Sequence, residues 1–228
     1  MLEVLSEPDV LFSLRLTAVS CLTALGLFVV FAPALGYALA RHPGTVSKTV
    51  GFIVTIPIVF PPIALGYILL TILGRSGPLG AALSAAGMPL VFTKGAVILA
   101  GFIAGLPLVV RPLQAAFGST RLRELEEAAR VLGASNLSVF FKITLPLVRP
   151  SLAVGLLMGC ARVSGEVGIT MMLGGNIAGK TNTLSLEIFN AVSRGDFEVA
   201  DTLCLVLSLF AALLFLAMEA VLRKSVKL

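Results

Sequence analysis

The sequence predicts an all-α integral membrane protein, on three observations. Of its 228 residues 57% are hydrophobic and only 13% charged, too little charge to cover a soluble globule of this size. Mean hydropathy is +1.03, and the apolar residues gather in runs approaching the roughly 20 that a helix needs to cross a hydrocarbon core about 30 Å thick. Between two of these runs, Arg121 to Pro146 forms a polar island with the pattern of helix, turn and helix. Residues 1–228 are read as one transmembrane domain.

About five spans follow in order, near Leu11–Ala40, Val50–Leu73, Ala96–Leu113, Leu147–Leu173 and Leu203–Leu222. The first is long enough to tilt, and Arg15 near its end can snorkel to the interface. Three acids and no Lys or Arg precede Arg15, unlike the basic start of a cleaved signal peptide, so this run is expected to be retained. The second carries Pro57, Pro61 and Pro62, and the third Pro107 and Pro112. Each proline removes a backbone donor and predicts a kink whose freed carbonyls need water or protein partners. Pro61 and Pro62 are therefore candidates for lining a path, against the plainer reading that proline is simply commoner in membrane helices. Residues 74–92, GRSGPLGAALSAAGMPLVF, read as an outer loop with a shallow hairpin or short interfacial helix.

In the fourth run Arg162 and Glu166 stand four residues apart and are expected on one helix face. Charges at mid-membrane are costly, so both should face the subunit interior or a wet cavity. Two readings stay open: a pair stapling this helix to a neighbour, or Arg162 on the route of an anion. The following loop holds Gly174, Gly179, Lys180 and Thr181 at the spacing of a phosphate-binding P-loop. That motif needs a buried strand before it and a helix after it in an α/β domain, whereas this match follows a membrane span. Asn176, Lys180 and Thr181 are expected instead at an outer mouth, or in a mere turn. Cys21, Cys160 and Cys204 sit in apolar stretches beside a single histidine, which supports neither a disulfide framework nor a metal site. No cofactor is expected in this chain.

The polar island carries the sharpest signal. Leu122, Leu125, Ala129 and Leu132 recur at helical spacing on one face of its first helix. Gly133 is a natural left-handed stop, and Ser135 or Asn136 can cap a second helix through Phe140, Phe141 and Ile143 until Pro146 breaks it. Glu127-Ala128-Ala129, three residues, Gly133, nine residues, Ile143, one residue, Leu145-Pro146 resembles without mismatch the EAA loop of membrane subunits of ABC importers. The resemblance implies a type I importer permease in which residues 117–146 form a cytoplasmic loop whose first helix seats in a groove of an ATPase subunit.

A second stretch sharpens the resemblance. Gly165-Glu166-Val167-Gly168, followed by Gly174-Gly175-Asn176-Ile177 and Gly179-Lys180-Thr181, is similar to the permease subunits of molybdate importers, relatives of those for tungstate and sulfate. Such subunits often read G-E-F-G where this chain has Val167. With Gly74 to Pro78, the likeness covers nearly the whole chain. It implies a homodimer in a bacterial or archaeal cytoplasmic (inner) membrane, with its path on the two-fold axis and lipid around it. Two ATPase subunits would lie below and a periplasmic or extracellular oxyanion-binding protein above.

Charge gives the orientation. With the island inside, the cytoplasmic segments hold Arg41, Lys48, Arg111, Arg121, Arg123, Arg130, Lys142, Arg149, Arg223, Lys224 and Lys227, eleven against the five of Arg15, Arg75, Lys94, Lys180 and Arg194 outside. That bias predicts the N-terminus out and the C-terminus in. It also accounts for the net charge of +5 without a nucleic-acid partner. Expected is the non-catalytic membrane half of an ATP-driven oxyanion importer, most simply for molybdate, with tungstate or sulfate/thiosulfate as alternatives. Rivals of other classes are a membrane-anchored P-loop ATPase and a structural membrane subunit without a path.

Overall fold

The computed structural model describes residues 2–42 and 44–225; Lys227 of the basic tail lies outside them. A short α1, Leu2–Ser6, leads into α2, Pro8–Arg41, which Pro33 does not interrupt. Then come α3, Thr45–Val59, α4, Pro62–Leu73, α5, Pro78–Ala85, α6, Lys94–Gly118, and α7, Thr120–Val131. Next, α8, Asn136–Val139, a π-turn, Phe140–Thr144, and α9, Leu145–Ser164, run on as one long helix. The chain ends with α10, Gly168–Gly174, α11, Leu184–Arg194, and α12, Phe197–Ser225.

Among the described residues, four helices are long and apolar enough to cross a bilayer: α2, α6, Asn136–Ser164 and Phe197–Arg223. The second expected span is instead two pieces, α3 of 15 residues and α4 of 12. Proline pushes the residue before it out of the helical region, and two in succession do so twice. Phe60 lies at φ −81°, ψ 141° and Pro61 at φ −56°, ψ 126°, while Pro62 opens α4, where a missing N–H costs nothing. Residues 74–92 do hold a short helix, α5, bent 49° from α4.

Three other prolines act differently from expectation. Pro107 and Pro112 leave α6 a continuous helix of 25 residues, with Pro107 buried in the core. Pro146 does not end the second helix of the island. The widened turn before it, closed by the Leu145 N–H donating to the Phe140 carbonyl, lets the chain take the proline at the start of α9 and stay helical. The fourth expected span breaks later, at 165–167, where Val167 leaves helical geometry at φ −121°.

The core is the packing of α2, α6 and α9. Small residues let their backbones approach closely, as between helices in lipid. A Cβ on Gly36 would stand 2.9 Å from the Leu113 Cβ, and one on Gly155 would stand 3.0 Å from the Val109 Cα. Phe28, fully buried, stacks on Phe102 at 5.4 Å between centroids. A second cluster, with Val10, Leu184, Ala191, Val199 and Leu203, joins α2, α11 and α12 at the end opposite α7. A third, with Leu65, Ala100, Ile169 and Leu173, packs α4 and α10 on α6.

Backbone sits against Gly155, so a side chain there has nowhere to go. Gly155→Leu should cost about 1–3 kcal/mol and lower the unfolding temperature in detergent. Gly26→Leu, where nothing lies within 4 Å, should not. Equal shifts for the two would show that the α6–α9 contact is looser than described.

Candidate functional site: a clamped surface loop and two broken helices

Helix α7 is held by a residue outside the motif. Leu122 and Glu126 are its buried side chains, Glu126 only 3% exposed. One Glu126 oxygen pairs with the Arg41 guanidinium at the end of α2 (2.8 Å), and the other accepts from the Thr144 hydroxyl in the π-turn (2.6 Å). Arg130 stands 3.8 Å away. The expected stripe is thus corrected: Leu122 and Glu126, four apart, face inward, while Leu125 is exposed and Leu132 is 87% exposed. Leu125 and Leu132 lie on the outer side because polar Glu126 found fixed partners. The four-residue spacing from Leu122 was visible in the sequence, but Arg41, 85 positions away, was not.

The turn is built as expected. Gly133 has φ +85°, and the Ser135 hydroxyl accepts from the Ser138 N–H, capping α8. Glu127 and Ala128 point to the surface, Ala129, Ile143 and Leu145 are half-buried, and Pro146 is exposed. Val131, Leu132, Leu137 and Phe141 leave an apolar tip in the open.

The two helix breaks lie against each other. A Cβ on Gly168 would meet the Pro62 Cβ at 2.7 Å and the Ile63 nitrogen at 2.9 Å, so the start of α10 rests on the start of α4. Arg162 and Glu166 do form an ion pair, 2.5 Å apart. They do not share one helix face, however: α9 ends at Ser164, and Glu166 lies in the break. Its second oxygen accepts from the Ile169 N–H at 2.7 Å, which caps α10. Glu166 is buried whereas the Arg162 side chain is 29% exposed. Pro61, Pro62 and Ile63 are exposed beside the positive N-terminus of α4.

The three outer-loop residues have separate surroundings. Thr181 is fully buried; its hydroxyl donates to the Gly174 carbonyl and accepts from the Ile177 N–H. The P-loop-like spacing is therefore a self-closed turn, with its hydroxyl already used. Asn176 pairs with Asn190 through both amides. Lys180 alone lines a cavity, of about 760 Å³. Behind this loop is a polar cluster that apolar periodicity did not reveal. Glu187, 5% exposed, accepts from Asn182 and from Arg194, and the hydrogen bond Arg194 donates pushes its guanidinium pKa up. Among the described residues no group of three His, Cys, Asp or Glu could hold a metal ion.

Residues 32–227 match the family described as binding-protein-dependent transport system inner membrane component. The molybdenum transport system permease protein ModB of Azotobacter vinelandii is 37% identical over 216 residues, 94% of each chain. Sulfate permease 2, chloroplastic, of Chlamydomonas reinhardtii is 34% identical over 212 residues, 92% of this chain and 57% of that one. A bacterial alginate ABC transporter, solved in complex with an alginate pentasaccharide-bound periplasmic protein, superimposes with a TM-score of 0.67. That match covers 98% of this chain and 81% of the other at 18% identity, a likeness of fold alone.

The double role of Glu166 sets a specific outcome for a double-mutant cycle. Breaking a buried pair costs about 3–5 kcal/mol, while replacing both partners can be nearly neutral. Here Arg162→Met and Glu166→Leu should each destabilise, and the double variant should recover only part of the loss, because the Ile169 N–H stays unpaired. Additive losses in thermal unfolding would show that the two side chains do not interact.

Proposed function

The chain belongs to the family of binding-protein-dependent transport system inner membrane components, and from that premise we propose that it is the permease subunit of a molybdate importer. The 37% identity to the Azotobacter vinelandii permease across 94% of both chains supports this cargo. Sulfate is the second reading, supported by a match that covers 57% of the chloroplast permease. Hydrolysis of ATP belongs to a separate subunit in this reading. A periplasmic protein delivers the anion, as a periplasmic protein accompanies the alginate transporter. Two copies of the chain form the path, and the exposed apolar faces of α4 and α12 leave surface for the second copy and for lipid.

The observation that carries the mechanism is the clamp on α7. Its exposed Glu127-Ala128-Ala129 segment and apolar tip suit the groove of an ATPase, while Glu126 fastens the same helix to α2 and to the base of α9. Ile143, Leu145 and Pro146 form the joint between the loop and α9. A push on the tip then travels along α9 to Arg162. At that end Arg162 precedes the break whose far side, Gly168, rests on Pro62 at the positive N-terminus of α4, the arrangement by which broken helices meet anionic substrates. Glu166 keeps Arg162 from being an isolated charge. Alternating access follows when the two halves rock about this point. The basic bias supports a cytoplasmic loop, with the N-terminus outside and the C-terminus inside.

Reconstitution with an ATPase and a binding protein tests the reading through uptake of labelled molybdate, with sulfate and tungstate as competitors. Uptake of sulfate but not molybdate would reassign the cargo. Gly133→Val, which forces a β-branched residue into left-handed geometry, should abolish most uptake while insertion persists, and Gly133→Ala should be milder. Full uptake by the valine variant, with normal ATPase association, would sink the coupling role. For orientation, a reporter after Arg130 should read cytoplasmic and one near Lys180 external; reversed labels would overturn the topology.

A further inference from the structure

We propose that the cavity at the end of the bundle opposite α7 is a capture site where a hydrated tetrahedral oxyanion rests before entering the path. This inference rests on the importer reading and adds a binding site to it. The cavity, about 760 Å³, lies between the α4–α5 turn, residues 89–93 and the loop at 177–180. Two cationic side chains line it, Arg75 and Lys180, brought together from segments about a hundred positions apart, and no acid is among its lining residues.

Neither charge is neutralised among the described residues. Arg41, Arg162 and Arg194 are each paired with a buried carboxylate. Among the described residues, Arg75 and Lys180 have no side-chain hydrogen bond or ion pair. Lys94, close in sequence to the cavity wall, is turned away, its ammonium 5.3 Å from the centre of the Phe12 ring. Ser76 and Ser84 add two hydroxyls whose donors are not committed to other groups. The lining therefore offers a charge of +2 and free donors, the complement of a tetrahedral dianion.

The wall is also built at a cost. Phe92 takes φ +62°, a left-handed geometry rare for a bulky residue and characteristic of functional sites. Its N–H donates to the Leu173 carbonyl at 2.8 Å, and its ring lies where a Cβ on Gly175 would come within 2.5 Å. Phe92 thus fixes the cavity wall to the end of α10. The other end of α10 is the break capped by Glu166, so capture site and path share one short helix.

Size defines how such a site works. At about 30 Å³ per water the cavity holds roughly 25 waters, so the anion enters hydrated and is attracted by charge rather than gripped. Capture of that kind is weak, sensitive to salt, and raises local anion concentration by factors of about 10 to 1,000. It does not sort molybdate from sulfate.

Equilibrium binding of labelled molybdate to the permease–ATPase complex in nanodiscs, without binding protein, tests the site. At low salt R75Q/K180Q should bind roughly tenfold more weakly than wild type, K180R should bind nearly as well, and Lys94→Gln should be unaffected. Wild-type binding should weaken as salt rises.

Unchanged binding in R75Q/K180Q, with wild-type uptake intact, overturns the site and leaves the importer reading standing. Binding of molybdate or sulfate without any uptake does the reverse. If the variants alter only the affinity for the binding protein, the cavity is a docking surface and the proposal is wrong. It is also wrong if anionic lipid abolishes molybdate binding and R75Q/K180Q reduces retained lipid, for then the tetrahedral group it holds is a headgroup phosphate.

Discussion

The buried carboxylate of Glu126 is the interaction on which the working arrangement depends. An ionised carboxylate leaves water only if charge and hydrogen bonds replace its hydration. Arg41 and Thr144 supply both, from the end of α2 and from the π-turn. Helix α7 has 12 residues and only two buried side chains, too short and too polar to persist alone. Its existence as a rigid body is therefore a property of three elements together. Because the ion pair is directional, it fixes the angle of α7 as well as its presence.

From that junction α9 acts as a stiff rod. Gly155 and Gly159 set it directly on Val109 of α6, so it cannot bend away from the core without opening voids. Its backbone departs from α-helical geometry only at its two ends, in the π-turn below and the 165–167 break above. The break in the neighbouring span, forced by Pro61 and Pro62, sits against the upper one through Gly168. Backbone irregularity in a membrane is tolerated where it is covered by protein or lines a wet space, and both breaks occur where charge is also found.

What the sequence made legible was whatever short spacing decides. The helical class, the positions of the apolar runs, the Gly133 turn and the Ser135 cap are all consequences of neighbours within four residues. The contact between Arg162 and Glu166 was also readable from spacing, but its setting was not: that α9 stops at Ser164 depends on Glu166 finding the Ile169 N–H. Pro146 misled because a proline's effect depends on whether the turn before it can widen. Glu126 stayed hidden behind its neighbour Glu127, since which of two adjacent acids turns inward is decided by Arg41. For Thr181 the sequence left an outer mouth and a turn both open, and the loop folds back to use its hydroxyl internally, as a turn. Only the Glu126 correction comes from a distant partner, Arg41; Pro146, Glu166 and Thr181 turn on backbone partners within seven residues, whose geometry residue types alone do not fix.

The π-turn at 140–144 has one more implication, for the rotational phase of the rod above it. Successive residues of an α-helix advance by about 100°, and the wide turn accommodates one residue more than an α-turn would. Were the same residues wound as a plain α-helix, that surplus residue would leave the chain helical yet spin α9 by about a quarter turn. Gly155 and Gly159 would leave Val109, and Arg162 would swing off its azimuth relative to Pro62. The apolar content would be unchanged, so the bilayer would accept the altered helix as readily as the original. Length in this segment is thus set by angle and not by membrane thickness, and a hydropathy profile, blind to angle, would register no difference.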